Sequence, residues 1–216
     1  MKKTSIKIKA SFLTATRNWP KLKKQLAPLV NQKLIDGFHV DVMDGEFVDE
    51  YTLNWMNEKF VKKLHHAFPK MFIEVHLMTQ FPENYAHEFS NAGAQRIWYH
   101  VEAFHHEKLL KHNAGKAEVA PAISPHTPLS VLKKPKSVLV MAAQPGKGGQ
   151  KLLPATYDRV KKLRVKFPKA TISIDCGVNI ENIAKLQKAG ASEAVAGSTI
   201  FKGNPTKNAL ELKRKI

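Results

Sequence analysis

A single cysteine, Cys176, stands in a chain of 216 residues, so no internal disulfide can form and stability must come from an apolar core. Apolar runs approaching the roughly 18 residues of a membrane span are missing, and no membrane partner is expected. The start, Met1-Lys2-Lys3-Thr4-Ser5, has charge with no apolar stretch behind it, which does not fit a secretory leader. Together with the one cysteine this places the expected location in the cytoplasm. Linkers, low-complexity tracts and long repeats are also missing, so residues 1–216 read as one domain. Acidic residues are few, 18 against 35 Lys and Arg for a net charge of +17, and anionic partners will be drawn to the surface. The lysines are scattered through candidate helices (Lys21, Lys24, Lys62, Lys63, Lys161, Lys162) and do not form one arm. They read as solvated helix faces. With no recognition motif beside them, nucleic acid is not the expected partner.

What is present is alternation. Apolar or alternating runs occur at Ile6 to Phe12, Gly37 to Val42, Met71 to Leu77, Arg96 to Val101, Glu118 to Ile123, Ser137 to Ala142, Thr171 to Asp175 and Ala194 to Ala196, each the length of a buried strand. Helical spacing lies between them, as in Leu22, Leu26, Leu29 and Val30, or Tyr157, Val160 and Leu163. Helix starts are marked by Asn18 ahead of Pro20, by Phe81-Pro82-Glu83, by Asn179 ahead of Glu181 and by Asn204 before Pro205. Strand followed by helix eight times implies a parallel sheet, and eight units at this length fit an α/β fold, the (β/α)8 TIM barrel.

Barrel enzymes carry their chemistry at the carboxyl ends of strands, where His39-Val-Asp41, His76-Leu-Met78, Asp175-Cys176-Gly177 and Gly197-Ser198 all fall. His39 and Asp41 are two apart in a strand and share one face, here the interior, where an unpaired carboxylate is costly. A His-x-Asp pair read alone is a hydrogen-bonded structural pair. With His76 and Asp175 it becomes two imidazoles and two carboxylates, a donor set for one divalent transition metal: Zn, Fe(II) or Mn rather than Mg or Ca. Asp41 and Asp175 also form the one carboxylate pair in these motifs able to remove a proton from carbon on one face and return it on the other. An adjacent carbonyl and a metal would stabilise the enediolate between the two steps, and the outcome is epimerisation. Met43, Met78 and Met141 fall at the same strand ends, either as core filling or as a lining without protons to donate. Gly146, Gly148, Gly149, Gly177, Gly197 and Ser198 gather on one rim, where backbone N–H groups can approach a phosphate.

At these residues the chain resembles the ribulose-phosphate 3-epimerase family, from Lys9-Ala10-Ser11 to Ile200-Phe201. The family's H-V-D-V-M-D-G-x-F-V stands as His39 to Val48, its H-L-M as His76 to Met78, its P-G-x-G-G-Q as Pro145 to Gln150, and its V-A-G-S-x-I-F as Val195 to Phe201. The resemblance implies a (β/α)8 enzyme interconverting D-ribulose 5-phosphate and D-xylulose 5-phosphate. Asp41 and Asp175 would exchange the roles of base and acid, and His39, Asp41, His76 and Asp175 would hold the metal. It further implies Ser11 beside the metal, a sugar phosphate as the small-molecule partner, and a homo-oligomer. The rim departs from the family pattern: Ala10 replaces Pro, Val48-Asp49-Glu50 replaces Val-Pro-Asn, and Gln144 replaces an acid. Lys147 replaces an apolar residue and would add a cation over the phosphate, and Cys176 replaces a Gly where backbone meets phosphate. A 3-epimerase for a six-carbon sugar phosphate, such as allulose 6-phosphate, shares the machinery. A non-catalytic sugar-phosphate or nucleic-acid binder on the same barrel is the competing reading.

Overall fold

Eight strands close into one parallel barrel in chain order in the computed structural model, which describes residues 5–103 and 106–216. Met1 to Thr4, part of the start read above as lacking a leader, lie outside the described residues. The strands are β1 (Lys7–Ser11), β2 (Gly37–Met43), β3 (Phe72–Met78), β4 (Arg96–His100), β5 (Glu118–Ile123), β6 (Ser137–Met141), β7 (Thr171–Asp175) and β8 (Glu193–Ala196). The helices are α1 (Trp19–Asn31), α2 (Glu58–Ala67), α3 (Glu83–Asn91), α4 (Glu107–Asn113), α5 (Thr156–Lys166), α6 (Ile183–Ala189), α7 (Ser198–Phe201) and α8 (Pro205–Lys213). Among the described residues no helix is long and apolar enough to cross a membrane.

All eight expected strands form, while the expected helix after each strand does not. Residues 124–136, between β5 and β6, hold only a 3-10 turn at Leu129–Val131. Pro125, Pro128 and Pro135 crowd that connection, and each removes a helical hydrogen-bond donor. A second difference concerns Asn179. Its Oδ1 accepts from the N–H groups of Glu181 and Asn182 in a turn, and the N-cap position of α6 falls on Asn182. Asn18 and Asn204 do cap their helices, accepting from Lys21 N–H and Lys207 N–H, each at 3.0 Å.

Strand alternation divides the buried residues into two populations. Outward residues such as Ile8, Phe38, Val40, Val75 and Ile174 meet Leu22 and Leu26 of α1, Val61 and Leu64 of α2, and Leu163 of α5 in one apolar shell. Phe12 joins it with its ring centroid 5.2 Å from that of Phe60 and 5.7 Å from that of Phe38. Inward residues form a smaller cluster, Trp98, Ala120, Ala122, Leu139, Met141 and Val195.

Beneath that cluster the barrel holds ions. Arg96 Nη1 lies 2.7 Å from Glu193 Oε2 and 3.1 Å from Glu74 Oε2, its Nε lies 2.9 Å from Glu118 Oε2, and Lys9 Nζ lies 3.7 Å from Glu193 Oε1. The Arg96 guanidinium also sits over the Trp98 ring, 4.7 Å from its centroid. Gly37 makes room for this layer, because a Cβ there would stand 2.6 Å from the Phe72 carbonyl and 3.0 Å from the Lys9 chain. Burial lowers the Lys9 pKa despite Glu74 and Glu193, whereas at Arg96 the three glutamates outweigh burial and raise it. Arg96→Met would leave Glu74 and Glu193 to share Lys9, and removing one partner of a buried ion pair costs about 3–5 kcal/mol. A loss of that size in urea unfolding is expected, and a loss below about 1 kcal/mol would show that the layer is not held by charge.

Candidate active site

Just above the ionic layer, His39 and Asp41 of β2, His76 of β3 and Asp175 of β7 converge, each offering a donor atom within 4.8 Å of the others. Register explains the meeting: Asp41 is paired beside His76 in the sheet, and Ser11 beside His39. His39 Nε2 stands 3.3 Å from Asp41 Oδ1 and 3.7 Å from Asp175 Oδ2, and His76 Nδ1 stands 3.5 and 3.3 Å from the same two oxygens. Neither His39 Nε2 nor His76 Nδ1 has a hydrogen-bond partner among the described residues, although both are buried. Four donors thus surround one point without pairing off.

Electrostatics agree with a cation at that point. Burial opposes charge on either ring, yet Asp41, Glu74 and Asp175 outweigh it at His39 and raise its pKa well above the usual value; Asp175 and Asp41 do the same at His76. Burial would raise Asp41, but His39 and His76 hold its carboxyl below the usual range. A field that favours protons on two rings favours a metal ion between them for the same reason. Two imidazole nitrogens and two carboxylate oxygens suit a divalent transition metal, and the buried cluster fits one.

The mouth lies over Asp41 and Asp175. All twelve residues read as substrate-contacting, Ser11, Met43, Met78, Met141, Gly146, Lys147, Gly148, Gly149, Cys176, Gly177, Gly197 and Ser198, line this pocket, and Leu13, Thr14, Val178 and Val195 join them. His39 and His76 are not on its wall; they are fully buried beneath it. Ser11 Oγ donates to Asp41 Oδ2 at 2.7 Å, leaving Oδ1 to face the histidines. Gly177 has φ +69°, and a Cβ there would meet Leu152 N at 2.4 Å, so the turn after β7 closes only on glycine. Lys147 is at the exposed edge, its Nζ 3.7 Å from Glu50 Oε1.

Several residues that hold the site were missed in the sequence. Thr52 Oγ1 donates to the Asp41 carbonyl at 2.8 Å and accepts from Met43 N–H at 2.9 Å, fastening the β2–α2 loop to the strand end. Asp44 accepts from Glu46 N–H and Phe47 N–H and, with its other oxygen, from Gln80 N–H at 2.7 Å, joining the loops after β2 and β3. Asp44 lay within the H-V-D-V-M-D-G motif, yet its partners are set by tertiary contact. Glu74 Oε1 lies 2.7 Å from His39 Nδ1, and its place two residues before His76 on the same strand face was the available signal.

Comparison with known proteins places these features in context. The model of a family described as "Ribulose-phosphate 3 epimerase family" matches residues 7–201. A ribulose-phosphate 3-epimerase of Schizosaccharomyces pombe is 35% identical over 173 residues, 77% of this chain and 75% of that protein. One of Escherichia coli is 35% identical over 178 residues, 77% of each. Among solved structures, 3-hexulose-6-phosphate synthase superposes with a TM-score of 0.72 at 17% identity, covering 98% of this chain and 100% of its own. Thiamine phosphate pyrophosphorylase from Pyrococcus furiosus gives 0.65 at 11%, covering 99% and 95%. At such identities these two share the fold alone.

Cys176 adopts φ +79°, unusual for a residue with a side chain. Burial, with Asp175 and Asp41 beside it, pushes its thiol up to about 12. Because the thiolate is the reactive form, alkylation of Cys176 by iodoacetamide at pH 8 is expected to run about a hundredfold or more slower than that of a free thiol. A rate matching glutathione would overturn the assignment.

Proposed function

The chain belongs to the ribulose-phosphate 3-epimerase family, and on that premise we propose that it interconverts D-ribulose 5-phosphate and D-xylulose 5-phosphate by proton exchange at C3 between Asp41 and Asp175. It is an isomerase. The carrying observation is the pair of carboxylates at the floor of one pocket, with the buried histidines between and beneath them. One carboxylate takes the C3 proton, and the electrons of that C–H bond form the C2–C3 double bond as the C2 oxygen takes up negative charge. The other carboxyl returns a proton to the opposite face of C3, and the electrons return to the carbonyl. Nothing is oxidised or reduced. In the reverse direction the two residues exchange roles.

His39, Asp41, His76 and Asp175 would hold the metal; Zn, Fe(II) or Mn fits the donor set. When bound, such an ion supplies positive charge that stabilises the developing enediolate. Ser11 holds the Asp41 carboxylate by its hydrogen bond. Met43, Met78 and Met141 face the pocket with no proton to give, so they do not compete with the carboxyls at the reacting carbon. The backbone of Gly146, Gly148, Gly149, Gly177, Gly197 and Ser198, with Cys176 beside them, would take the phosphate, with Lys147 as a cation at the edge. Five carbons are favoured over six because the curated relatives cited above are named for ribulose phosphate. The whole chain, 1–216, would act as one domain, in a homo-oligomer and in the cytoplasm.

In deuterated solvent the metal-loaded protein is expected to exchange the C3 hydrogen of ribulose 5-phosphate. No exchange with ribulose 5-phosphate or allulose 6-phosphate would defeat the assignment, and faster turnover of the latter would move it to the six-carbon sugar. Asp175→Asn should lower kcat by about 10²–10⁴, the usual share of one acid/base group. Chelation should abolish turnover, and Zn, Fe(II) or Mn should restore it.

A further inference from the structure

We propose that two hydrogen-bonded relays, Glu74 on His39 and His100–Glu102 on His76, are positioning residues that set which nitrogen of each histidine faces the metal and thereby set its affinity. The proposal rests on the reading that His39, Asp41, His76 and Asp175 hold a divalent ion. It concerns residues that touch neither that ion nor the substrate.

The two histidines use opposite nitrogens. His39 turns Nε2 to the centre, and its Nδ1 lies 2.7 Å from Glu74 Oε1. His76 turns Nδ1 to the centre, and its Nε2 lies 3.0 Å from Nε2 of His100. His100 Nδ1 in turn lies 3.0 Å from Glu102 Oε2. A neutral ring carries one proton, and the nitrogen that binds a metal must be the bare one. Glu74 can only accept, so the His39 proton belongs on Nδ1 and the lone pair on Nε2 points inward. Along the other relay, Glu102 accepts from His100 Nδ1–H, which leaves His100 Nε2 bare. His76 Nε2–H then donates to it, and His76 Nδ1 is the free donor. The two bare nitrogens are the ones that have no hydrogen-bond partner among the described residues.

Each relay is anchored beyond its histidine. Glu74 gives its second oxygen to Arg96 Nη1 at 3.1 Å, so the ionic layer at the bottom of the barrel fixes the carboxylate that fixes His39. Glu102 gives its second oxygen to Ser124 N–H at 2.8 Å and to the Thr127 hydroxyl, both on the 124–136 connection. The His100 ring meets that of His76 edge to edge, with planes 24° apart and centroids 5.1 Å apart, and lies 4.7 Å from the Phe47 ring. The arms are unequal, because a full carboxylate polarises His39 directly while a neutral imidazole stands between Glu102 and His76. Glu74 therefore has the larger effect.

The test is metal affinity, measured by competition between the protein and a chromophoric chelator for Co(II) and Zn(II), with thermal unfolding of the metal-free proteins alongside. The wild type should bind one ion; if it binds none, the metal reading itself fails. Given that binding, Glu74→Gln should weaken affinity by about 10–100-fold, the usual effect of losing such an outer partner. Glu102→Ala, at a half-exposed side chain outside the ionic layer, should weaken it less, by about 10-fold, with the metal-free protein less stable than the wild type but still folded. Glu118→Gln, which touches Arg96 but neither histidine, should leave affinity unchanged. If Glu74→Gln fails to fold, Glu102→Ala decides alone. Wild-type affinity in the folded variants would overturn the inference, as would an equal loss in Glu118→Gln.

Discussion

The constraint on which the rest depends is the burial of two carboxylates within a few ångströms of each other. Asp41 and Asp175 both lie on the barrel interior within the same four-residue cluster, and unpaired carboxylates in such a place would take up protons instead of staying charged. The neighbouring side chains are arranged around that difficulty. His39 and His76 lie between the two carboxylates, Ser11 donates to one of them, and the sheet register that brings β1, β2 and β3 together at this height makes both possible. The parallel barrel supplies inward side chains from strands distant in sequence, and its outer shell of helices covers the other face of those strands.

Much of this was legible in the sequence because it depends on short-range rules. Period-two alternation located the strands, and the position of a residue at a strand end placed it at the mouth without knowledge of its neighbours. What escaped depends on register between strands. Glu74 sits two residues before His76, but its contact with His39 is fixed by the pairing of β2 with β3. Arg96 meets Glu193 across 97 residues of sequence, and no local pattern announces that. The missing helix between β5 and β6 is different: Pro125, Pro128 and Pro135 are a local signal against it, and the eightfold alternation takes no account of them.

The rim shows the opposite relation between sequence and structure. Cys176 carries a side chain, yet the backbone takes a left-handed turn there at φ +79°, and Gly177 beside it has φ +69°. The turn is therefore set by the packing of Leu152 and Gln150 against Gly177, and Cys176 conforms to it. Gly146 likewise has φ +108°, and a Cβ there would stand 3.1 Å from Glu50 Oε2 and 3.2 Å from Val48 Cβ. The path of the chain at this turn is set by close packing, while Cys176, Lys147 and Glu50 set the chemistry of the wall.

Charge balance joins the two buried layers. In the lower one, Lys9 and Arg96 stand against Glu74 and Glu193, with Glu118 at the half-exposed edge. In the upper one, Asp41 and Asp175 stand with His39 and His76 around one point, where a divalent cation would offset the carboxylates. For the proposed epimerisation one of the two carboxyls must arrive protonated. With a divalent ion bound, the cluster would hold one surplus positive charge at the start and gain a second with the proton taken from C3, as the substrate becomes the singly negative enediolate and the total charge stays the same. A buried site with that surplus favours the intermediate over the neutral ketose, and this difference between two states of the substrate is what lowers a barrier. Glu74 links the two layers, since one oxygen serves His39 and the other Arg96; the lower layer thus bears on the chemistry above it through a single carboxylate.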